Sequence, residues 1–284
     1  MIKKTLYLLA LIAFTSCGSR QLDINVMTFN LRYDNPEDSL NNWQYRKDNA
    51  AKMIELKKID ILGVQEALIN QMNDLKERLP EYKAIGVGRE DGKELGEFSA
   101  IFYNANRFIA EQTGYFWLSE TPEVAGSKGW DGACRRIATW AVFKDKKSGK
   151  QFFAMNTHLD HKGVVARQKG ISLILERISL LSKGLPTILT GDFNSNPSSS
   201  VIKHVTDQSD PQHLIDSRSI AKSISGTTWT FHDFDRLPVK ERERIDYIFV
   251  NDKINVTQYE TVPETFDNTF LSDHCPVLAH LQIN

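Results

Sequence analysis

Apolar and polar side chains alternate through residues 22–27, which places Leu22, Ile24 and Val26 on one face. A repeat of two residues predicts a β-strand with one buried face. The strand is expected to end at Asn30, where the apolar pattern stops.

Helical spacing appears twice further along the chain. Residues 46–58 place Ala50, Met53, Ile54 and Leu56 on one side of a predicted helix, and residues 164–181 carry the clearest amphipathic stripe. Short apolar or β-prone runs predict further strands at 59–64, 98–103, 137–143, 151–157, 186–191, 245–250 and 276–281. Since no change of composition marks a linker, residues 21–284 are predicted to form one α/β domain.

Composition supports a folded globular protein. The 284 residues are 41% hydrophobic with only 9 Pro, which excludes a disordered or low-complexity chain and allows one large core. Basic and acidic residues number 35 and 36, for a formal net charge of -1. This balance provides no overall field for polyanions, so nucleic-acid binding would require a local basic patch.

The N-terminus has the order of a secretory signal. Lys3 and Lys4 precede an apolar run over 5–14, which is too short to span a bilayer. Residues 1–16 are therefore predicted to be a signal peptide, and Cys17 follows small residues as in a relaxed lipobox. We expect a lipid on Cys17, a short tether over 17–20, and an exported bacterial lipoprotein at the cell envelope, on the periplasmic side or at the outer membrane. The alternative is an ordinary cleaved signal with an incidental cysteine.

Polar residues whose side chains could act in catalysis or bind a metal lie where predicted strands end or begin. They are Asn30, Glu66, His158, Asp192, Asn194, Asp273 and His274. Sites in α/β proteins are built at strand ends, because the sheet fixes the backbone while the loops leave side chains accessible. These side chains are therefore expected to converge at one shared edge.

The residue types fit phosphoester hydrolysis, which needs a divalent cation, donors for phosphoryl oxygens and a base for water. Glu66 is the first choice for an oxygen ligand to Mg²⁺. Asn30 and Asn194 offer amide donors to phosphate without adding negative charge. Asp192 is suited to accepting a proton from water, and His274 to placing positive charge near the phosphoryl group.

Each residue alone has a simpler explanation. Asp192 and Asn194 are common turn residues after strands, and a lone His158 is typical of a satisfied core histidine. Asp246 is different, because a carboxylate inside an apolar strand is costly unless it is paired, and His274 is the candidate partner. Two remaining cysteines, Cys134 and Cys275, leave a disulfide possible but not required.

Six motifs in order resemble the endonuclease/exonuclease/phosphatase superfamily, the deoxyribonuclease I-like metal-dependent phosphoesterases. They are TFN at 28–30, QE at 65–66, NTH at 156–158, GDFN at 191–194, RIDYI at 244–248 and SDH at 272–274, and the resemblance spans residues 24–281. It implies a four-layer α/β/β/α sandwich with the site across one edge of two packed sheets.

The resemblance also implies roles for individual residues. Glu66 matches the metal carboxylate for Mg²⁺ or Mn²⁺, with Asn30 and Asp273 close to the metal or its water shell. Asp192 matches the aspartate that activates water or assists the leaving group, and Asn194 the amide that holds the phosphate. The histidine matches are His274, oriented and kept basic by Asp246, and His158, with Glu97 as its acidic partner.

Signals for the substrate are weaker. Arg136, together with Arg135, Arg89 and Lys162, is a candidate for binding further phosphate, although solvated surface charge is the default explanation of these residues. Trp229 and Phe231 are candidates for stacking on a base or a sugar, with one of them expected to line the site, and packing in the core is the alternative for each. Trp43 and Arg46 are expected to brace the first loop.

These observations predict a metal-dependent hydrolase of phosphoesters, with phosphodiesters the favoured class. Within that class the alternatives are a nuclease, a phospholipase or sphingomyelinase, and a sugar- or inositol-phosphate phosphatase. A nucleic-acid substrate therefore stays open, the membrane is the expected partner through Cys17, and no protein partner is predicted. Outside the class, the alternative is a catalytically silent lipid-anchored binding module.

Overall fold

The computed structural model describes residues 21–284, which contain fifteen strands and five α-helices. The predicted signal peptide 1–16, the tether 17–20 and Cys17 lie outside the described residues. The strands are β1 (Leu22–Asn30), β2 (Ile61–Ala67), β3 (Tyr82–Ile85), β4 (Phe98–Asn104), β5 (Phe108–Trp117), β6 (Ile137–Asp145), β7 (Gln151–His158), β8 (Thr187–Asp192), β9 (Ile215–Asp216), β10 (Ser223–Ser225), β11 (Asp246–Val250), β12 (Ile254–Thr261), β13 (Thr265–Phe266), β14 (Thr269–Phe270) and β15 (Val277–Ile283).

The strands form two large sheets and a small hairpin. The first sheet has the order β10-β12-β15-β1-β2-β4-β3, the second has the order β5-β6-β7-β8-β11-β9, and β13 pairs with β14. The helices are α1 (Trp43–Leu56), α2 (Ile69–Arg78), α3 (Val164–Leu181), α4 (Ser200–Val205) and α5 (Ser217–Ile220), with 3₁₀ turns at Pro36–Asn41 and Val239–Glu241.

Three separate apolar cores define four layers. The middle core lies between the sheets and includes Val26, Phe143, Phe152, Ile188 and Ile248. A second core packs α1 and α2 on the outer face of the first sheet, and a third packs α3 and α4 on the outer face of the second. The α/β/β/α sandwich implied by the resemblance is confirmed.

Strand directions bring the predicted site residues to one edge. β1 runs parallel to β2, with Asn30 opposite Gln65, and β7 runs parallel to β8, with His158 opposite Asp192. β11 is antiparallel to β8 and starts at that same edge, with Asp246 opposite Asp192. This edge, where β1, β2, β7 and β8 end, is referred to below as the cleft edge.

A buried polar network joins the two sheets just beneath the cleft edge. Gln65 Nε2 donates to Asn156 Oδ1 at 2.7 Å, and Asn156 Nδ2 donates to the carbonyls of Val64 and Ala100 at 2.9 Å. A Cβ on Gly63 would lie 2.4 Å from Thr190 Oγ1 and 2.5 Å from Asn156 Oδ1. Glycine at position 63 therefore allows this close approach of the two sheets, where any side chain would force its neighbours to shift.

Most predicted elements are present with shifted ends. α3 spans the predicted residues, and α1 begins earlier than predicted, at Trp43, because the Asn42 side chain caps it by accepting from the Gln44 backbone N–H. α2, β3, β5 and β12 have no counterpart in the predicted elements. Within residues 21–284, Cys134 and Cys275 are free thiols, and no helix has the length and apolar character needed to cross a membrane.

Candidate active site

A cleft of about 380 Å³ opens at the cleft edge. Nine of the predicted site residues line it: Glu66, Glu97, Arg136, His158, Asp192, Asn194, Phe231, Asp273 and His274. Asn30 and Asp246 lie behind these residues and are hydrogen-bonded to them. The structure therefore brings together residues that are more than 240 positions apart in the sequence.

Asn30 lies at the centre of this arrangement. Its Nδ2 donates to Glu66 Oε1 at 3.1 Å and to Asp192 Oδ2 at 3.0 Å, while its Oδ1 accepts from the backbone N–H of Arg32 at 2.9 Å. Both amide hydrogens are thus directed at carboxylates. Without a ligand Asn30 holds Glu66 and Asp192 together, and its role as a donor to phosphate stays a prediction.

Glu66 is turned toward the cleft by an irregularity in its strand. The pairing of β2 with β4 shifts register between Val64 and Ala67, and Glu66 has a positive φ of 60°. A bulge re-aims a side chain that a regular strand would direct elsewhere. The backbone N–H of Tyr33 donates to Glu66 Oε2 at 3.2 Å, which fixes the carboxylate near the cleft.

Asp192 is almost fully buried at the end of β8, with 1% of its surface exposed. Its Oδ1 accepts from the Asn194 backbone N–H at 2.8 Å, and its Oδ2 lies 3.4 Å from His158 Nε2 and 3.9 Å from His274 Nε2. Burial and the charge of Asp246 raise the pKa of Asp192 to about 7. The pKa of Asp192 is therefore close to neutral pH, as a general base requires.

His274 and Asp246 form a buried pair. The carboxylate Oδ2 of Asp246 lies 2.9 Å from Nδ1 of His274, which confirms the partner expected for a carboxylate inside an apolar strand. Burial opposes the charge on His274, but the charge and hydrogen bond of Asp246, with the charges of Asp273 and Asp192, raise its pKa to about 10. His274 is therefore a cation that lines the cleft.

His158 is uncharged, in contrast to His274. Burial, followed by the charges of Arg136 and Arg89, lowers its pKa well below the usual value, so the ring is neutral. Asn194 Nδ2 lies 3.0 Å from His158 Nε2 and also donates to the Leu159 carbonyl at 3.0 Å. His158 Nδ1 has no hydrogen-bond partner in the described part of the chain.

The predicted pairing of Glu97 with His158 is wrong. Glu97 lines the cleft, but its Oε2 accepts from Arg89 Nη1 and lies 3.9 Å from Arg136 Nη1. A guanidinium is always charged and offers several donors, so it competes effectively with a neutral imidazole for a carboxylate. Glu97 belongs to the arginine side of the cleft.

The carboxylates of the site exceed the cations that face them. Burial raises the pKa of Asp273 despite the charge of His274, and the charge of Glu66 raises it further. Arg32 lies 3.8 Å from Asp273 but makes its shorter ion pair, 2.9 Å, with Asp38. Glu66 and Asp273 are therefore close enough to repel each other when both are ionised, and a bound cation would relieve this repulsion.

Glu66, His158 and Asp192 offer potential ligand atoms that all lie within 4.8 Å of one another. Carboxylate oxygens beside uncompensated negative charge suit a hard divalent cation such as Mg²⁺ or Mn²⁺. The donor set therefore fits the metal that the resemblance implies, with Glu66 as the accessible carboxylate. A second cluster, formed by Asp192, Asp246 and His274, is already engaged by the His274–Asp246 hydrogen bond.

The substrate-side expectations are resolved in part. Phe231 lines the cleft with its ring 4.9 Å from that of His274, whereas Trp229 donates to Glu264 at 3.3 Å and lies outside the lining. The alternative in which Trp229 lines the site is therefore wrong. Arg46 braces the first loop as expected, because its Nη1 donates to the carbonyls of Leu31 and Leu271 at 2.8 and 2.7 Å.

Sequence reasoning missed several cleft residues. Arg32 and Tyr33 follow the first strand directly, and His161 follows His158 by three positions, so proximity to the motifs was the available signal. Cys134 and Asp233 carried no such signal. The motif residues Gln65 and Asn156 act beneath the cleft, in the network that joins the sheets.

Comparisons with known proteins agree with the geometry. The model of the Endonuclease/Exonuclease/phosphatase family matches residues 27–274. The solved structure of an endonuclease/exonuclease/phosphatase from Bacteroides vulgatus is 44% identical with a TM-score of 0.89, covering 93% of this chain and 100% of that one. A mannosyl-6-phosphatase from Bacteroides thetaiotaomicron VPI-5482 is 39% identical with a TM-score of 0.84, covering 91% and 99%.

Among curated relatives, an uncharacterized protein of Acanthamoeba polyphaga mimivirus is 33% identical over 167 residues, or 56% of this chain and 61% of that protein. The Protein angel of Drosophila melanogaster is 26% identical over 221 residues, or 71% of this chain and 61% of that protein. The chain thus spans about three fifths of the length of these relatives. The family match over residues 27–274 establishes that this chain belongs to the endonuclease/exonuclease/phosphatase family, whose members are phosphoester hydrolases.

Proposed function

We propose that the protein is an exported, divalent-metal-dependent phosphatase that hydrolyses a phosphomonoester carried by a sugar. The observation that carries the hydrolytic part is the convergence on Asn30 of Glu66, Asp192 and His274, at 3.1, 3.0 and 3.5 Å from its amide nitrogen. A metal ligand, a proton acceptor and a cation are thereby held around one point. These are the groups that water attack on phosphorus requires.

Individual residues of the site would have different roles in hydrolysis. Glu66 would hold Mg²⁺ or Mn²⁺, with Asn30 and Asp273 close by, and the ion when bound would act as a Lewis acid on phosphoryl oxygen. Asp192 accepts the proton of the attacking water, since its pKa of about 7 keeps it available near neutral pH. His274 as a cation and Asn194 stabilise charge on the phosphoryl oxygens.

The size and charge of the site support a small substrate. A cleft of about 380 Å³ is within the usual range for small-molecule sites. The formal net charge of -1 offers no general attraction to a nucleic-acid backbone. The likeness to a mannosyl-6-phosphatase at 39% identity over 91% of this chain supports a sugar phosphate in particular.

Export and lipidation are part of the proposal. They rest on Lys3, Lys4, the apolar run over 5–14 and Cys17. β1 starts at Leu22, at the opposite end of the strand from Asn30, so an anchor on Cys17 would leave the cleft edge unobstructed. Incorporation of labelled fatty acid into the wild type but not into Cys17→Ser tests this part, and a wild type that stays unlabelled contradicts it.

A substrate panel tests the activity. Mannose 6-phosphate, bis-p-nitrophenyl phosphate, plasmid DNA and sphingomyelin are each incubated with Mg²⁺, with Mn²⁺ and with EDTA. We expect turnover of mannose 6-phosphate that EDTA abolishes. Preferential turnover of the diester or DNA would instead support the phosphodiesterase expected from the sequence, and turnover of nothing would support the silent binding module.

A further inference from the structure

Arg136 is a buried cation whose donors are not all used. The residue is 5% exposed and lines the cleft just before β6. Its Nη2 lies 3.1 Å from Nδ1 of His161, which orients the guanidinium, but Nε and Nη1 have no hydrogen-bond partner among residues 21–284. Buried donors without partners are costly, and at a cleft they indicate a ligand that completes them.

Glu97 and Arg89 lie beside Arg136, and these three residues are called the arginine wall of the cleft below. Glu97 Oε2 accepts from Arg89 Nη1, and the Glu97 carboxylate lines the cleft. Arg89 is held in place because Trp117 Nε1 donates to its carbonyl at 2.7 Å. The arginine wall therefore offers donors on Arg136 beside an acceptor on Glu97.

The charges at the arginine wall balance. Arg136 lies 3.7 Å from Asp160 and 3.9 Å from Glu97, and Arg89 pairs with Glu97. Arg89 also lies 3.7 Å from Glu90, which pairs with Arg135 at 2.6 Å, so three cations face three carboxylates. The carboxylate of Asp160 is kept ionised because the backbone N–H groups of Gly163 and Cys134 donate to it. A balanced cluster does not favour a second anion, whereas adjacent donors and acceptors match neighbouring hydroxyl groups.

We infer that Arg136, Arg89 and Glu97 form a subsite for the hydroxyl groups of the sugar leaving group, with Arg136 donating to them and Glu97 accepting from them. This inference rests on the proposed sugar phosphatase. The sequence suggested that Arg136 binds additional phosphate, whereas this inference assigns Arg136 to the sugar. It also explains why Glu97 bonds to arginine and leaves His158 Nδ1 without a partner.

The test compares two primary alkyl phosphates, mannose 6-phosphate and n-butyl phosphate, which lacks ring hydroxyls. The variant is Arg136→Lys, which keeps the charge but loses the planar fork. The matched control is Arg135→Lys, since Arg135 is the adjacent arginine and bonds to Glu90 and the Gly126 carbonyl outside the cleft lining. Thermal melting verifies that each variant folds, and Glu97→Gln serves as the second variant.

We expect Arg136→Lys to lower kcat/KM for mannose 6-phosphate by roughly 10- to 100-fold, through KM more than kcat, and to lower it far less for n-butyl phosphate. Arg135→Lys should keep the wild-type ratio between kcat/KM for mannose 6-phosphate and kcat/KM for n-butyl phosphate. Equal losses on both substrates would place Arg136 at the phosphoryl group and overturn the inference. A larger loss on fructose 1,6-bisphosphate than on mannose 6-phosphate would indicate a second anion site and also overturn it.

Binding of methyl α-mannoside, measured by saturation-transfer NMR without metal, separates this inference from the proposed function. Binding by the wild type that Arg136→Lys abolishes supports the subsite, even if the wild type turns over no monoester. Undetectable binding, or binding that Arg136→Lys leaves unchanged, contradicts the subsite, even if the enzyme is an active phosphatase.

Discussion

His274 Nδ1 lies 2.9 Å from Asp246 Oδ2, and both side chains are buried, at 4% and 1% exposure. Asp246 is the first residue of β11, and His274 lies in the connection that precedes β15. The other oxygen of Asp246 has no hydrogen-bond partner in the part of the chain that the structure describes. The charge of Asp246 is therefore directed largely at His274, and it keeps the imidazole protonated.

The pH dependence of catalysis should follow from this pair. His274 acts as a cation and has a pKa of about 10, so wild-type activity should decline as pH rises through about 10. Asp246→Asn removes the negative charge while burial still disfavours the cation, so the decline should begin at lower pH. At pH 8 we expect a loss of at least roughly tenfold in kcat/KM.

A pH–rate profile from pH 5 to 11 measures this effect. Asp252→Asn is the control, because Asp252 is exposed and lies in the turn after β11, at the other end from the cleft. An alkaline limb at the same pH in Asp246→Asn and in the wild type would show that Asp246 does not set the charge of His274.

Replacing Asp192 should remove the proton acceptor while keeping the fold. Asp192→Asn preserves the size of the side chain, and the loss of general-base function should lower kcat by at least roughly a hundredfold. Steady-state kinetics on mannose 6-phosphate measures the loss, and circular dichroism verifies the fold. A variant within tenfold of the wild type would assign water activation to another group, and Asp207→Asn, in an exposed turn, is the control.

Divalent cations should stabilise the protein through Glu66. Binding to the native state alone would raise the free energy of unfolding by about 2.7 kcal/mol at a hundredfold excess over Kd. We expect Mg²⁺ or Mn²⁺ to raise the melting temperature of the wild type by several degrees and that of Glu66→Gln very little. Glu77→Gln is the control, since the Glu77 side chain is 81% exposed, and an equal shift in Glu66→Gln would remove Glu66 from the metal site.

Gly63→Ala should destabilise the contact between the two sheets. Its Cβ would lie within 2.7 Å of three side-chain atoms of Thr190 and Asn156, in the network beneath the cleft. Overpacking of this kind costs about 1–3 kcal/mol, which urea denaturation measures. At Gly170 in α3 the nearest atom to a Cβ is 3.5 Å away, so Gly170→Ala should be neutral or stabilising, and similar results for both variants would contradict the close approach.

Local sequence patterns predicted the strands with strong alternation and the long amphipathic helix α3. They missed α2 and β5 for a physical reason. α2 is largely polar, and only Gln71, Met72 and Leu75 are buried among its ten residues. β5 has seven consecutive residues, 109–115, that are exposed or half-buried, so it lacks a clear apolar face. α2 is stabilised by tertiary packing, and β5 by its pairing with β6. Local periodicity reports neither of these interactions.

The sequence by itself determined which chemical groups the site contains, because a carboxylate or imidazole placed at a strand end is fixed by the order of residues. It also determined that Asp246 needs a partner, since an apolar strand cannot bury a lone charge. Tertiary structure alone decided that Asn30 bridges Glu66 and Asp192, that Glu97 bonds to Arg89 and not to His158, and that Phe231 and not Trp229 faces the cleft. Those choices depend on distances between segments up to 162 residues apart, and such distances are set by how two sheets pack and not by any local pattern.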